Sequence, residues 1–273
     1  MRRTSIACLL GMWILVGLPS GSAGATLTIP GTGACETVLK SVAAAYEATH
    51  PWMKVVIPPS VHSGGGIRQV IDGKADLARV ARGLSLEETG KGLMVRVFAK
   101  DSIVFAVGAG VRVRDLTIRQ IADILTGKIG TWEQLGAGKG PIRVLLREPG
   151  DSSIQVIQEK YPEIRDIKFT AQGKVTYHDG EMLEMLQKYR NAFGFITLST
   201  LNAATSQVTT VGIDGIAPTR ENLRAGRYPL VAEHAIIYRE GDLPAEARDF
   251  VGFLFSAAGG NILAEHGLVP VAR

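Results

Sequence analysis

The chain predicts an α/β fold, on three observations. Short apolar, strand-like runs alternate with stretches of helical periodicity along its 273 residues. Several strand ends run into loops of glycine and hydroxyl residues that open a helix. The composition, 46% hydrophobic and 21% charged, is that of a globular chain long enough for one large domain or two lobes. No period of about 20 to 50 residues repeats, and no low-complexity linker divides the chain.

The first residues stand apart from the fold. Arg2 and Arg3 precede an apolar run from Ile6 to Leu18, and a small-residue stretch then ends in Ala23-Gly24-Ala25. That order predicts a secretory signal peptide over residues 1–25, removed after Ala25. The run is shorter than the ~20 residues a membrane span needs. Cys8 comes too early to be a lipoprotein site. The segment carries two arginines and no acid, so the net charge of +4 falls to +2 (4 − 2) without it. That is too small a charge, with no basic block, to point to nucleic acid. Only Cys35 remains, so no internal disulfide forms, and export without disulfides suits a bacterial periplasm.

The elements follow in order. Leu27 to Ile29 reads as a strand. Glu36 to Thr49 reads as a helix, with Val38, Val42, Ala45 and Tyr46 on one face and His50-Pro51 as its stop. Lys54 to Ile57 is a strand, Gly65 to Asp72 a short helix and Asp76 to Val80 a strand. Ser85 with Glu88 fits a capping box and predicts a brief helix. Val95 to Val107 is β-branched around Lys100-Asp101. Thr117 with Gln120 is a second capping box, opening a helix over Ile118 to Thr126. Ile142 to Leu146 is a strand, and Ser153 to Tyr161 and Glu181 to Tyr189 are helices. Phe193 to Thr197, Val208 to Ile213 and part of Tyr228 to Tyr238 are strands. Ala245 to Phe255 and Gly260 to His266 close the chain as helices.

In open sheets of this class, ligands bind outside the carboxyl ends of strands. Three loops there share one chemistry. They are Gly31-Thr32-Gly33-Ala34-Cys35-Glu36, His62-Ser63-Gly64-Gly65-Gly66, and Gly150-Asp151-Ser152-Ser153, the last following Arg147. The first turn of a helix has amides without partners, and its dipole favours negative charge. Hydroxyls add donors and Arg147 adds a forked, charged one. A tetrahedral oxyanion fits such a cradle. Each loop taken singly also reads as an ordinary N-cap or tight turn. None is a Walker A loop, since no Gly-Lys-Ser/Thr is present, and Gly31-x-Gly33 lacks the third glycine of a dinucleotide fingerprint.

These stretches resemble a known family, the phosphate-binding periplasmic proteins of ATP-driven importers, of the type II periplasmic-binding-protein fold. "SGGGIRQVIDGKADLARVARGLSLEE" is similar to the family's glycine-rich loop, strand and Ser-Ser-Arg turn. "LTIRQIADILTGKIGTWEQLG" resembles its Leu-Thr helix, Gly-Lys and Trp-x-x-Leu-Gly segment. "LREPGDSS" lies where the family has Arg-x-x-x-Ser-Gly-Thr. "FGFITLSTL", "IDGIAPTRENLRAGRYPL" and "HGLVP" match its closing region.

The resemblance implies two α/β lobes joined by two hinge crossovers around a central cleft. It places lobe one at 26–107 plus 207–273 and lobe two at 108–206. It implies hinge closure on phosphate or a similar oxyanion, with delivery to the membrane permease of an ABC importer, and no cofactor. Thr32, Gly33 and Ala34 lie where the family's first loop meets the anion. Ser63 and Gly64 match the second loop, Arg82 the turn arginine, Arg147 the arginine after the strand, and Ser152 and Ser153 the Gly-Thr of the last loop. Asp151 stands where the family has serine. Either it accepts the proton of hydrogenphosphate, which sulfate lacks, or it is an N-cap neutralised by Arg147. Glu36 is a second acid in the wrong place for an anion site, unless it faces solvent in the first helical turn. A ligand with donor groups of its own is the third reading.

Other chemistry is weakly supported. Cys35 at a helix start is a nucleophile candidate, but His50, His62, His178, His234 and His266 show no recognisable spacing to it. The histidines are too scattered for a metal motif. Trp52 and Trp132 read as packing residues. The expectation is therefore a binding protein and not an enzyme. The rivals are a phosphatase-like enzyme using Cys35 or Asp151, and a ligand sensor for a membrane partner.

Overall fold

The computed structural model describes residues 24–239, 241 and 243–271. The predicted signal peptide lies outside the described residues apart from Gly24 and Ala25. In chain order the elements are β1 (Ala25–Thr28), α1 (Glu36–Thr49), β2 (Met53–Val56), α2 (His62–Ile71), β3 (Ala78–Val80) and β4 (Leu93–Val107). Next come β5 (Asp115–Leu116), α3 (Ile118–Thr126), β6 (Arg143–Arg147), α4 (Ser152–Lys160), α5 (Pro162–Arg165), β7 (Lys174–Thr176), α6 (Asp179–Lys188) and β8 (Ala192–Thr197). The chain ends with α7 (Leu198–Asn202), β9 (Thr209–Ile213), α8 (Arg220–Arg224), β10 (Val231–Arg239), α9 (Ala245–Leu254), α10 (Ala257–Glu265) and β11 (Val269–Pro270).

Local chemistry accounts for the clearest of these. α1 spans the predicted residues, buries Val38, Leu39, Val42, Ala43 and Tyr46, and stops at His50. α3 opens on the predicted box: Thr117 Oγ1 accepts from the Gln120 amide while Gln120 reaches back to the Thr117 amide. The Ser85–Glu88 box forms too, yet no helix follows it. Glu88 is held by Arg82, and Gly90 and Gly92 come before a second turn is complete.

One strand ties the molecule together. The first part of β4 pairs antiparallel with β10, residues 93–102 against 231–239. Its last part, Ile103–Val107, pairs with β8 and β9. All five of those residues are fully buried, so the strand is apolar on both faces there. Burying each of Ile103, Val104, Phe105 and Val107 stabilises the fold by about 1.5–3 kcal/mol.

Two large apolar clusters fill two lobes, with a small third formed by Ile67, Val80, Ala235 and Ile237. One gathers Leu27, Ile29, α1, Met53, Val55, Phe98, Ala99, Ile236 and the α9–α10 face. The other runs from Ile103 to Ala232. The resemblance put the return to lobe one at 207, whereas Val211, Ile213, Tyr228 and Leu230 pack in the second cluster. The reason is pairing: β9 lies against β4 at Phe105–Val107, and Tyr228 Oη donates to the Ile103 carbonyl at 2.9 Å. The chain thus crosses between clusters at 100–102 and again at 233–234.

Candidate functional site

The three predicted loops meet where the clusters face each other. The first follows β1 and is held from below by Arg79, a fully buried residue of β3. Its guanidinium donates to the carbonyls of Ile29, Thr32 (2.8 Å) and Pro58 (2.7 Å). Gly31 forms a parallel bridge to Arg79, and the Thr32 amide donates to the Arg79 carbonyl at 3.0 Å. Burial pulls the Arg79 pKa down, with Cys35 and Glu36 pulling it back up; Glu36 lies 3.6 Å away.

Thr32, in the loop before α1, and Ser152, at the start of α4, bring their hydroxyl oxygens within 3.1 Å. Thr32 Oγ1 also accepts from the Ala34 amide at 3.3 Å. A Cβ on Gly33 would sit 3.1 Å from His178 Cβ and 3.4 Å from Ser60 Cβ, so only hydrogen fits between those neighbours without displacing them. Ser63 Oγ accepts from the Ala81 amide at 3.2 Å, which joins the second loop to the turn after β3. Arg82 lies over this loop, its Nη2 3.4 Å from where a Gly64 Cβ would be. Both its Nη atoms are engaged by Glu88 at 2.8 Å, which raises the Arg82 pKa. Arg82 thus reaches the loop edge as half of an ion pair.

The third loop is the most buried. Asp151 caps α4, its Oδ1 accepting from Ser153 (2.9 Å) and Ile154 (3.4 Å) amides, while Oδ2 takes Arg147 at 2.7 Å. Of the two readings for Asp151, this is the neutralised cap. Arg147, Asp151, Ser152 and Ser153 are all 2–3% exposed. Arg147 also donates to the Tyr177 carbonyl, and its Nη1 faces Asp179 Oδ1 at 3.4 Å. Burial lowers the Arg147 pKa, but Asp179 and Asp151 outweigh it and the net shift is upward. Burial raises the Asp179 pKa, against the pull of Arg147 and Thr197. Asp179 Oδ1 and Arg147 Nη1 make no hydrogen bond, leaving one buried acceptor and one buried donor side by side.

His62 starts α2 with a left-handed φ of 60° and pairs with Glu148 across the cleft at 2.9 Å. Arg79, Asp179 and Glu148 were not singled out from the sequence, and His62 and His178 were named there as histidines without recognisable spacing to Cys35. Asp179 follows β7, which escaped notice because it is three residues long; an acid after a strand and before a helix was the available signal. Arg79 was visible only as an arginine within an apolar strand. A surface hollow of about 350 Å³ lined by Val70, Asp76 and Arg239 lies away from these loops. Among the described residues no helix is long and apolar enough to cross a membrane, and no cluster of three metal-ligating side chains forms.

Comparison with known proteins places this geometry in a family. The chain is 26% identical over 254 residues to the phosphate-binding protein PstS of Bacillus subtilis (strain 168), covering 91% of this chain and 82% of that one. A Clostridium perfringens structure described as a phosphate ABC transporter substrate-binding protein with bound phosphate superposes with a TM-score of 0.81 at 28% identity. The superposition covers 90% of this chain and 99% of that one. An ABC-type phosphate transport receptor from Vibrio cholerae shares the fold, with a TM-score of 0.70 at 23% identity over 89% of this chain and 99% of its own. The family model described as PBP superfamily domain matches residues 18–258, and with that match over most of its length the chain belongs to the PBP superfamily.

Proposed function

We propose that the protein captures phosphate between its lobes and delivers it to the membrane permease of an ABC importer. The observation that carries this is the meeting of Thr32 and Ser152, from the loops at two separate helix starts, beside the buried Arg147. The relatives named for phosphate support it. The lobes are residues 26–99 with 235–271, and residues 103–232, with hinges at 100–102 and 233–234. Residues 1–25 are the export signal, and the site of action is the periplasm. Binding without turnover is the activity: Cys35 is buried and Asp151 is committed to Arg147 and the α4 amides, so neither is placed as a free nucleophile.

The ligand contacts are Thr32, Gly33, Ala34, Ser63, Gly64, Arg147, Ser152 and Ser153, with Arg82 at the edge. Asp151 orients Arg147. The proton-accepting role falls to Asp179, whose Oδ1 is buried and accepts no hydrogen bond while both Asp151 oxygens are occupied. A protonated oxyanion donates to Asp179 and accepts from Arg147. Sulfate has no proton to donate and meets a buried carboxylate instead. Calorimetric titration of phosphate, arsenate, sulfate and molybdate tests this. Phosphate and arsenate should bind at least about tenfold more tightly than sulfate, a difference of about 1.4 kcal/mol. Equal affinities would refute the assignment of Asp179, and no phosphate binding would refute the reading as a whole.

The His62–Glu148 pair acts as a latch on the closed cleft. Both side chains are about a quarter exposed, so solvent screens the pair. His62→Ala or Glu148→Ala should weaken phosphate binding only about two- to fivefold, as a faster off-rate. Stopped-flow release from the double variant should match either single one. Additive losses would show that the two side chains act separately.

A further inference from the structure

Under the cleft lies a second set of buried charges that phosphate contact does not use. The two crossovers between lobes carry Asp101 and His234, both fully buried. His234 Nε2 lies 3.6 Å from Asp101 Oδ2, and β10 shifts register just after His234. Asp101 Oδ1 accepts from the Ser102 amide at 2.7 Å and the Ser199 amide at 3.3 Å. Ser199 Oγ reaches Thr197 Oγ1 at 3.5 Å, and the Thr197 amide donates to Asp179 Oδ2 at 3.1 Å. Asp179 faces Arg147. On the other side the Cys35 thiol, just before α1, contributes to the electrostatics at His234, whose ring nitrogens make no hydrogen bond. Buried polar groups therefore extend from the Arg147 half of the cleft to Asp101 at the hinge, where His234 is its charged neighbour.

We propose that Asp101 and His234 are the hinge's positioning pair, holding the two halves of the cleft in their closed relation, so that phosphate capture takes up a proton at His234. This rests on the phosphate reading above. A buried carboxylate needs a counter-charge, and neutral histidine supplies none. Opening the hinge lets water reach Asp101, and the proton is then no longer required. Burial alone would push the His234 pKa down, but Asp101 and then Cys35 outweigh it and raise it to about 10. The groups facing His234 are Asp101 from β4 and Cys35 from the α1 start, with the Phe98 ring stacked at 6.1 Å. Cys35 in turn interacts with Arg79 of β3. The neighbouring Lys100–Glu233 pair is half exposed and lies outside the path. The pKa is raised in the closed form, so its contribution is present while His234 holds its proton. It is lost as pH rises through about 10.

The test is calorimetric titration of the full chain with inorganic phosphate at about pH 9, in two buffers of different ionisation enthalpy, which counts protons. Phosphate keeps its own charge there. The wild-type chain should take up a proton on binding and bind on the order of 50-fold more weakly at about pH 10 than at about pH 8. His234→Gln should show no uptake and a flatter pH profile. Asp101→Asn should lose the uptake and bind more weakly throughout. A wild-type count of zero overturns the proposal without any variant, as does a His234→Gln profile that parallels the wild type. Failure of phosphate to bind at any pH would instead overturn the phosphate reading.

Discussion

Arg147→Ala should lose tight phosphate capture and much of the stability of the second lobe together. The substitution removes the charge-assisted donor from the cleft, at a cost of about 2–5 kcal/mol in binding. It also leaves Asp151 and Asp179, each 2% exposed, without their counter-charge. Breaking a buried pair from one side costs about 3–5 kcal/mol, because an uncompensated charge stays behind. For a chain of this size that is a fall of about 6–20 °C in Tm. The pH dependence has a definite sign. Burial already raises the Asp179 pKa, and loss of Arg147 raises it further. A carboxyl whose folded pKa is raised destabilises the fold while it is ionised and ceases to do so once protonated. The Tm deficit of the variant should therefore be full at neutral pH and shrink in mild acid. A deficit that grows in acid would show that the two carboxylates are not buried against Arg147. Arg147→Lys should recover part of the stability and little of the affinity, since a point charge cannot serve Asp151 and Asp179 in the fork geometry.

Gly31→Ala should be the most damaging single methyl in the first loop. Gly31 has a φ of +142°, and a Cβ there would lie 1.8 Å from the Arg79 carbonyl oxygen. That oxygen accepts the Thr32 amide, and Arg79 Nε returns a bond to the Thr32 carbonyl. The loop must move off β3, and Thr32 moves with it. Expected are a loss of about 4 kcal/mol or more in stability, at the exceptional end for a point change, and phosphate affinity down at least about tenfold. Gly136→Ala is the control. It also sits at positive φ, 62°, but a Cβ there meets nothing within 4 Å. It should cost only the left-handed backbone penalty of about 1–2 kcal/mol. Chemical denaturation of both variants separates clash from conformational preference; equal losses would mean that Arg79 does not hold the loop.

Much of the architecture was legible in the residues. α1 and α3 fall where apolar spacing and the Thr117 box put them, because both signals act within a few residues. The long apolar run before Val107 reads as a strand for the same reason. Some short elements were not legible: β5, β7, α5, α7 and α8 have two to five residues, too few to show a period, although the short strands β1 to β3 were. The Ser85 box shows the limit of a local rule, since Glu88 spends its carboxylate on Arg82 as well as on the cap.

The site divides in the same way. The sequence by itself determined that three glycine- and hydroxyl-bearing loops follow strands and open helices, and that Arg147 and Asp151 stand beside one of them. These follow from neighbours along the chain. Only the tertiary structure decided that Thr32 meets Ser152, that Asp179 shares Arg147 with Asp151, and that His234 meets Asp101 where the two crossovers pass. Those partners are far apart in sequence and are brought together by sheet pairing and core burial. A charge hidden from water requires a partner, but nothing in local spacing says which one the fold will supply.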